Sequence, residues 1–322
     1  MKAIVMQNYG GPEVFEEQDI AVPNIQETQV LVEMYATTVS SADELIRSGT
    51  FQHVFSVQFP HVLGVELAGV VKEIGEKVTY VKVGDPVMGL ARNGGGYADY
   101  VVLDESALTI IPPTISFLEA AALTASALTA WQSLFQYGKL QSGQRILIHA
   151  GAGGVGHIAV QLAKQQGAYV IATARGHNHE FVRQLGADEV IDYTTTDFAE
   201  AISPVDIVLD MVRDKIVELD TGIGETERKN YTVLKDSGKL ISLVAPSIAD
   251  HPKIRGIEAH FAYIVPNHRD LAAIIHSVEE QKLKVHVDGL FPFTVEGIAD
   301  AHRQNETNPK RGKLVIQRKP HC

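Results

Sequence analysis

Gly151-Ala152-Gly153-Gly154-Val155-Gly156 satisfies G-x-G-x-x-G. A pyrophosphate must come close to backbone N–H groups, and a side chain on the turn would hold it off. Glycine has no Cβ, so it permits both the tight turn and the close approach. A merely structural turn in an α/β protein can meet the same pattern. Here the apolar run Arg145 to His149 precedes the loop, and Val155 to Gln166 follows with apolar residues at helical spacing. Strand, glycine loop and helix together point to a dinucleotide held at a helix N-terminus.

The second strand of the unit decides which dinucleotide. An NAD site places an acid at the end of that strand for the ribose hydroxyls, whereas an NADP site supplies a cation. Here the strand Tyr169 to Thr173 runs into Ala174-Arg175, and no Asp or Glu stands between His157 and His179. Arg175 can pair with a 2′-phosphate, or it can be a solvated surface arginine. The missing acid favours NADP(H), because a carboxylate there would repel the phosphate.

Other chemistry finds less support. The only cysteine, Cys322, cannot build a multi-cysteine zinc site or an internal disulfide. The 13 histidines include no H-E-x-x-H or other familiar ligand spacing. His177 and His179 flank the expected phosphate site and read as surface residues. No Ser-His-Asp or Cys-His hydrolytic arrangement can be argued from spacing.

The elements that must position these residues fall into two kinds. The first hundred residues read as short strands broken by glycines, including Lys2 to Met6 and Gln29 to Met34. This pattern predicts an antiparallel, partly barrel-shaped β domain. Beyond Pro112-Pro113 the character changes. Phe117 to Leu134 reads as helix, and strands then alternate with helices: Tyr169 to Thr173, Glu180 to Leu185, Glu189 to Ile191, Asp206 to Leu209, Lys239 to Val244. Such alternation predicts a doubly wound parallel sheet. Gly256 to Ile264 can add a strand, Asp270 to Gln281 a helix, and Lys313 to Ile316 a last strand. Ile207 to Asp210 and Ile216 to Asp220 look like two versions of one strand ending. The first has the better strand character, and one of the two is expected to be an insertion at the sheet's edge.

Bulk properties bound the partners. The chain has 322 residues and a net charge of -11. That balance argues against nucleic acid and against anionic membranes. No apolar run reaches the roughly 18 residues of a transmembrane helix. The opening MKAIVMQNYGGPEVF lacks a signal-peptide pattern, so the expected location is the cytoplasm.

The whole pattern resembles the zinc-independent, quinone oxidoreductase (zeta-crystallin-like) branch of the medium-chain dehydrogenase/reductase superfamily. The resemblance rests on His61-Val62-Leu63-Gly64-Val65-Glu66-Leu67-Ala68-Gly69, Gly95 to Val101, Ala121 to Trp131, the glycine loop, Leu185-Gly186-Ala187-Asp188 and Arg311 to Val315. It implies a GroES-like catalytic domain (1–113, completed by 267–322) and a Rossmann NADP-binding domain (114–266). It implies a substrate cleft between them and a homodimer along the Rossmann sheet edges. It implies cofactor contacts from Gly151, Gly153, Gly154, Val155, Gly156, Thr173, Arg175, Tyr193 and Val244. The loop Phe261 to Pro266, with Val265, would touch the nicotinamide amide through its backbone, and Lys313 would lie by the cofactor phosphates. Ser40, Ser41 and Tyr97 fall in stretches similar to the family's cleft lining, as hydroxyl donors or as residues that only satisfy local backbone. Phe51, Phe55 and Phe59 suggest an apolar acceptor, or core.

Two departures matter. Arg213-Asp214 replace the usual Gly-Gly after the fourth strand, and Ser40-Ser41-Ala42-Asp43 replaces the usual Asn-Pro-x-Asp. In zinc-dependent relatives a cysteine stands near the position of Ser40 and a histidine at Val65. Neither residue here can replace them, and Glu66 is expected to be a buried, paired carboxylate. Asp43 and Arg47 are expected to pair with each other. Without a metal, alcohol oxidation loses its Lewis acid. Hydride delivery to a quinone or an α,β-unsaturated carbonyl remains the leading expectation. A non-enzymatic NADPH-binding sensor or structural protein, and a residual alcohol dehydrogenase, are the alternatives.

Overall fold

The computed structural model describes residues 1–50, 52, 56–213, 216–218 (backbone alone), 223–251, 253–307 and 311–318. Phe51, Phe55, Asp214 and Cys322 lie outside the described residues. The chain forms two compact units. Unit 1 holds 1–128, 266–281 and 285–322, and unit 2 holds 129–265 and 282–284. The first change of unit thus falls later than the Pro112-Pro113 boundary expected from composition.

Unit 1 begins with β1 (Lys2–Met6), β2 (Phe15–Asp19), β3 (Gln29–Val39), α1 (Ser41–Arg47) and β4 (Glu66–Ile74). It continues with β5 (Pro86–Leu90), β6 (Tyr100–Asp104), β7 (Leu108–Ile110) and α2 (Phe117–Trp131), whose last turn belongs to unit 2. Unit 2 contains β8 (Arg145–Ile148), α3 (Gly156–Gln165), β9 (Tyr169–Ala174), α4 (His179–Gln184) and β10 (Glu189–Asp192). It then adds α5 (Phe198–Ala201), β11 (Val205–Asp210), β12 (Ile216–Glu218), β13 (Ile223–Gly224), α6 (Glu225–Val233), β14 (Leu234–Ser242) and β15 (Glu258–Phe261). The chain returns to unit 1 as α7 (His268–Glu279), β16 (Val287–Pro292), α8 (Val295–Thr307) and β17 (Lys313–Gln317).

Unit 2 is the parallel sheet that strand–helix alternation predicts. Its order is β10-β9-β8-β11-β14-β15, with the first three strands running one way from β8 and the rest the other. Every pair in it is parallel. The carboxyl ends of β8 and β11 flank the point where strand order reverses, which is where open α/β sheets place ligands. The core of unit 2 lies under this sheet, with Leu147, Ile171, Val208 and Leu240 fully buried. β12 pairs with β13 in a separate antiparallel ribbon, so the second strand-like ending lies outside the main sheet.

Unit 1 is a mostly antiparallel sheet of order β16-β17-β3-β4-β5-β7, with β6 also on β3. The C-terminal strands complete it, since β17 pairs with β3 through Leu314–Val39 to Gln317–Ala36. Val30, Val32, Met34, Leu67 and Leu108 fill its core.

One charged contact is sealed inside unit 1. Glu66, on β4, and Lys313, on β17, form an ion pair with both side chains at most 5% exposed. Glu66 also accepts from the Thr38 hydroxyl and from the Ala125 N–H of α2 at 2.8 Å. Lys313 thus joins β17 to β4, and in place of the free cation expected beside cofactor phosphates it is a buried partner of Glu66. It is 4% exposed and its charge is spent on Glu66. Removing one partner leaves the other charge buried, at a cost of about 3–5 kcal/mol. Lys313→Met is expected to lose about that much in urea unfolding, with part recovered in Lys313→Met/Glu66→Gln. A loss below about 1 kcal/mol would show the pair to be dispensable.

Candidate functional site

The glycine loop follows β8 directly. Ala150 adopts a left-handed backbone, φ 48°, that non-glycine residues rarely take. Stitching to β9 holds it there: the Gly151 N–H donates to the Thr173 carbonyl at 2.9 Å, and the Ala150 N–H to Thr173 Oγ1 at 3.2 Å. His149, 2% exposed, places Nδ1 3.2 Å from Thr173 Oγ1 and Nε2 2.8 Å from Asn230 Oδ1. A Cβ on Gly156 would collide with the Ala150 carbonyl, and one on Gly151 would sit 2.9 Å from the Ala172 Cβ. These glycines let α3 start directly against the turn. Among the described residues, the N–H groups of Gly154 and Val155 have no protein acceptor, and both residues are half-exposed. Two free N–H groups at the start of a ten-residue helix fit a phosphate.

The parallel register of β9 and β10 sets Ala174 opposite Asp192. The next residue of each strand, Arg175 and Tyr193, is exposed, and Arg175 Nε donates to Tyr193 Oη at 2.9 Å. Two residues far apart in sequence thus make one polar corner at the strand ends.

The structure corrects the expectation that no carboxylate is available there. The Asp192 carboxylate lies 2.8 Å from where a Gly176 Cβ would stand. Bonds from the Thr194 hydroxyl and N–H hold it below its ordinary value, so it is ionised at neutral pH. The acid comes from the third strand, which a search along the second strand could not find.

Other expected contacts also change role. Thr173 is 2% exposed and holds the turn instead of facing outward. Val244 is half-exposed and donates its N–H to Ser242 Oγ at 3.2 Å. Val265 donates to Gln132 Oε1 at 3.0 Å and accepts from Gln132 Nε2 at 2.8 Å, so both its main-chain groups are engaged.

In unit 1, Ser40 is the N-cap of α1 in a reciprocal capping box with Asp43. Ser41 is exposed. Tyr97 is not a lining residue: it is fully buried, donates to the Thr38 carbonyl at 3.2 Å and meets His302 Nε2 at 3.0 Å. Burial, with the Asp43 and Glu66 charges adding to it, pushes its hydroxyl well above the usual phenol range. Asp43 and Arg47 do not pair with each other. Asp43 accepts from Ser40 and from the Gly64 N–H at 3.1 Å, and Arg47 binds Glu306. Phe59 is 39% exposed and packs edge-on against Tyr9.

Residues 26–113 match the alcohol dehydrogenase GroES-like domain, and 185–316 match a domain described as zinc-binding dehydrogenase. A spinach protein named quinone-oxidoreductase homolog, chloroplastic, is 33% identical over 98% of both chains. An Arabidopsis thaliana protein named NADPH-dependent alkenal/one oxidoreductase, chloroplastic, is 33% identical over 98% of this chain and 79% of its own. The solved quinone oxidoreductase of Coxiella burnetii is 34% identical over 99% of both chains, with TM-score 0.87. The chain belongs to the quinone oxidoreductase branch of the medium-chain dehydrogenase/reductase superfamily.

The zinc in the domain's description does not fit the residues present. Val65 offers no donor atom, and Glu66 is committed to Lys313, Thr38 and α2. Ser40 spends its hydroxyl on Asp43 at 2.5 Å.

Asp43 gives unit 1 a pH signature. Burial holds its carboxyl above the ordinary 3.8, against the bonds from Ser40, and the Glu66 charge adds to the rise. The folded chain then binds this proton more tightly than the unfolded chain. The stability this adds is fully present below the unfolded value and is lost as pH rises through the folded one. Relative to Asp43→Asn, the wild type is expected to lose Tm as pH rises above about 4. A Tm difference that is constant with pH would contradict the assignment.

Proposed function

We propose that this chain is an NADPH-dependent oxidoreductase that passes hydride to a quinone or an α,β-unsaturated carbonyl without a metal. The observation that carries the reading is the Arg175–Tyr193 pair beside a glycine loop with two free N–H groups. Both plant relatives support it by name, one as an NADPH-dependent alkenal/one oxidoreductase.

Unit 2 is the cofactor domain in this reading and unit 1 the catalytic domain. The Gly154 and Val155 N–H groups hold the pyrophosphate, with Gly151, Gly153 and Gly156 clearing its approach. Arg175 and Tyr193 hold the 2′-phosphate. Asp192 spends its charge on Thr194 and Gly176, which leaves the Arg175 guanidinium for the ligand. Gln132 holds Val265 by both main-chain groups, and the loop Phe261 to Pro266 meets the nicotinamide amide through its remaining backbone. When bound, the cofactor supplies a hydride.

An acceptor that is already electrophilic needs orientation and a proton, not a Lewis acid. Of the three hydroxyls named from the sequence, Ser41 is the one not engaged, and it or water supplies that proton. The edge strand β15 supports a homodimer built by sheet edges. The single cysteine supports a reducing compartment, the cytoplasm, although both plant relatives are named chloroplastic.

NADPH absorbance is expected to fall when a small quinone or a 2-alkenal is added, at the same rate with or without a chelator. Tight NADPH binding with no turnover across a broad acceptor panel would sink the reading and favour a binding protein on the same fold. Stoichiometric zinc with alcohol oxidation would revive dehydrogenase chemistry.

A further inference from the structure

The connection from β14 to β15 carries a cluster with no part in the reading above. Ser247 and His251 flank the short turn Ile248–Asp250, whose tight winding brings residues four apart together. His251 Nε2 lies 3.3 Å from Ser247 Oγ. His251 Nδ1 lies 2.6 Å from Glu227 Oε1, on α6. Glu227 and His251 are 4% and 8% exposed, whereas Ser247 is exposed. A carboxylate at Nδ1 fixes the proton there and turns the Nε2 lone pair toward the serine. A cavity of about 340 Å³ opens beside His251, lined by apolar groups such as Tyr231, Ile248 and Ile257 and by Lys253, Glu258 and His260.

We propose that Ser247, His251 and Glu227 form a second, hydrolytic site that takes small activated esters with an apolar aryl or short acyl group. The order of nucleophile, base and orienting carboxylate is that of serine acyl transfer, with a serine–histidine distance in the loose range of ligand-free sites. Ser247 Oγ attacks the acyl carbon while His251 Nε2 takes its proton. The bond from acyl carbon to aryl oxygen breaks, and His251 returns the proton to the departing phenolate. A water molecule, deprotonated by His251, then attacks the acyl carbon; the acyl–Oγ bond breaks, His251 returns the proton to Ser247 Oγ, and a carboxylic acid is released. Glu227 positions His251 and touches no substrate.

The probes are a fluorophosphonate and p-nitrophenyl butyrate on the full chain. Mass spectrometry is expected to find the phosphonyl group on Ser247. Ser247→Ala, a change at an exposed residue, is expected to abolish the label and cut ester hydrolysis at least tenfold with Tm unchanged. Glu227→Gln can turn an amide N–H toward Nδ1 and so place the proton on Nε2. It is expected to cut labelling about 100-fold, with part restored in Glu227→Asp. An unlabelled Ser247, or ester hydrolysis undiminished in Ser247→Ala, would overturn the proposal.

Discussion

The close packing of α3 against the end of β8 is the constraint on which the cofactor unit depends. Ala150 must hold a left-handed backbone, at a cost of about 1–2 kcal/mol. Gly156 must lack a Cβ for the Ala150 carbonyl to fit. The buried set of Thr173, His149 and Asn230 holds this geometry from beneath. Strain of this kind persists only where its surroundings over-determine it. Its result is a helix start whose free N–H groups face solvent beside the point where strand order reverses.

A second constraint governs unit 1. Glu66 follows Val65, the position where the family resemblance puts a zinc ligand, and here it faces Lys313. An ammonium group in that place neutralises the carboxylate and ties the last strand to the fourth. The same stretch thus serves packing instead of Lewis-acid chemistry. Val65 and the engaged Glu66 offer no ligand pair for a metal at this stretch, and a conjugated carbonyl is an acceptor that brings its own electrophilicity.

Much of this was legible in sequence because local signals agreed. The glycine loop stood between a strand and a helix, and β17 read as a strand that closes the first domain. Glu66 followed a valine where a ligand would stand, and its burial was expected. What stayed hidden depended on contacts between distant segments. Asp192 reaches Gly176 only through the β9–β10 register. Lys313 has the charge of a phosphate ligand, and only the pairing of β17 with β3, one strand from β4, brings it to Glu66. Tyr97 has the chemistry of a proton donor, and only its burial against His302 removes it from that role. His149 directly precedes the loop, and that position was the one signal that could have flagged it. No spacing rule could have linked Glu227 to His251, because their meeting depends on how α6 packs.

The account's central claim is that Arg175, with Tyr193, selects a 2′-phosphate despite the ionised Asp192 nearby. Fluorescence titration of NADPH and NADH into wild type and Arg175→Glu tests it most directly. Loss of a charge-assisted contact is expected to weaken NADPH about 10- to 100-fold and to leave NADH nearly unchanged. An unchanged preference for NADPH over NADH in Arg175→Glu would contradict the account.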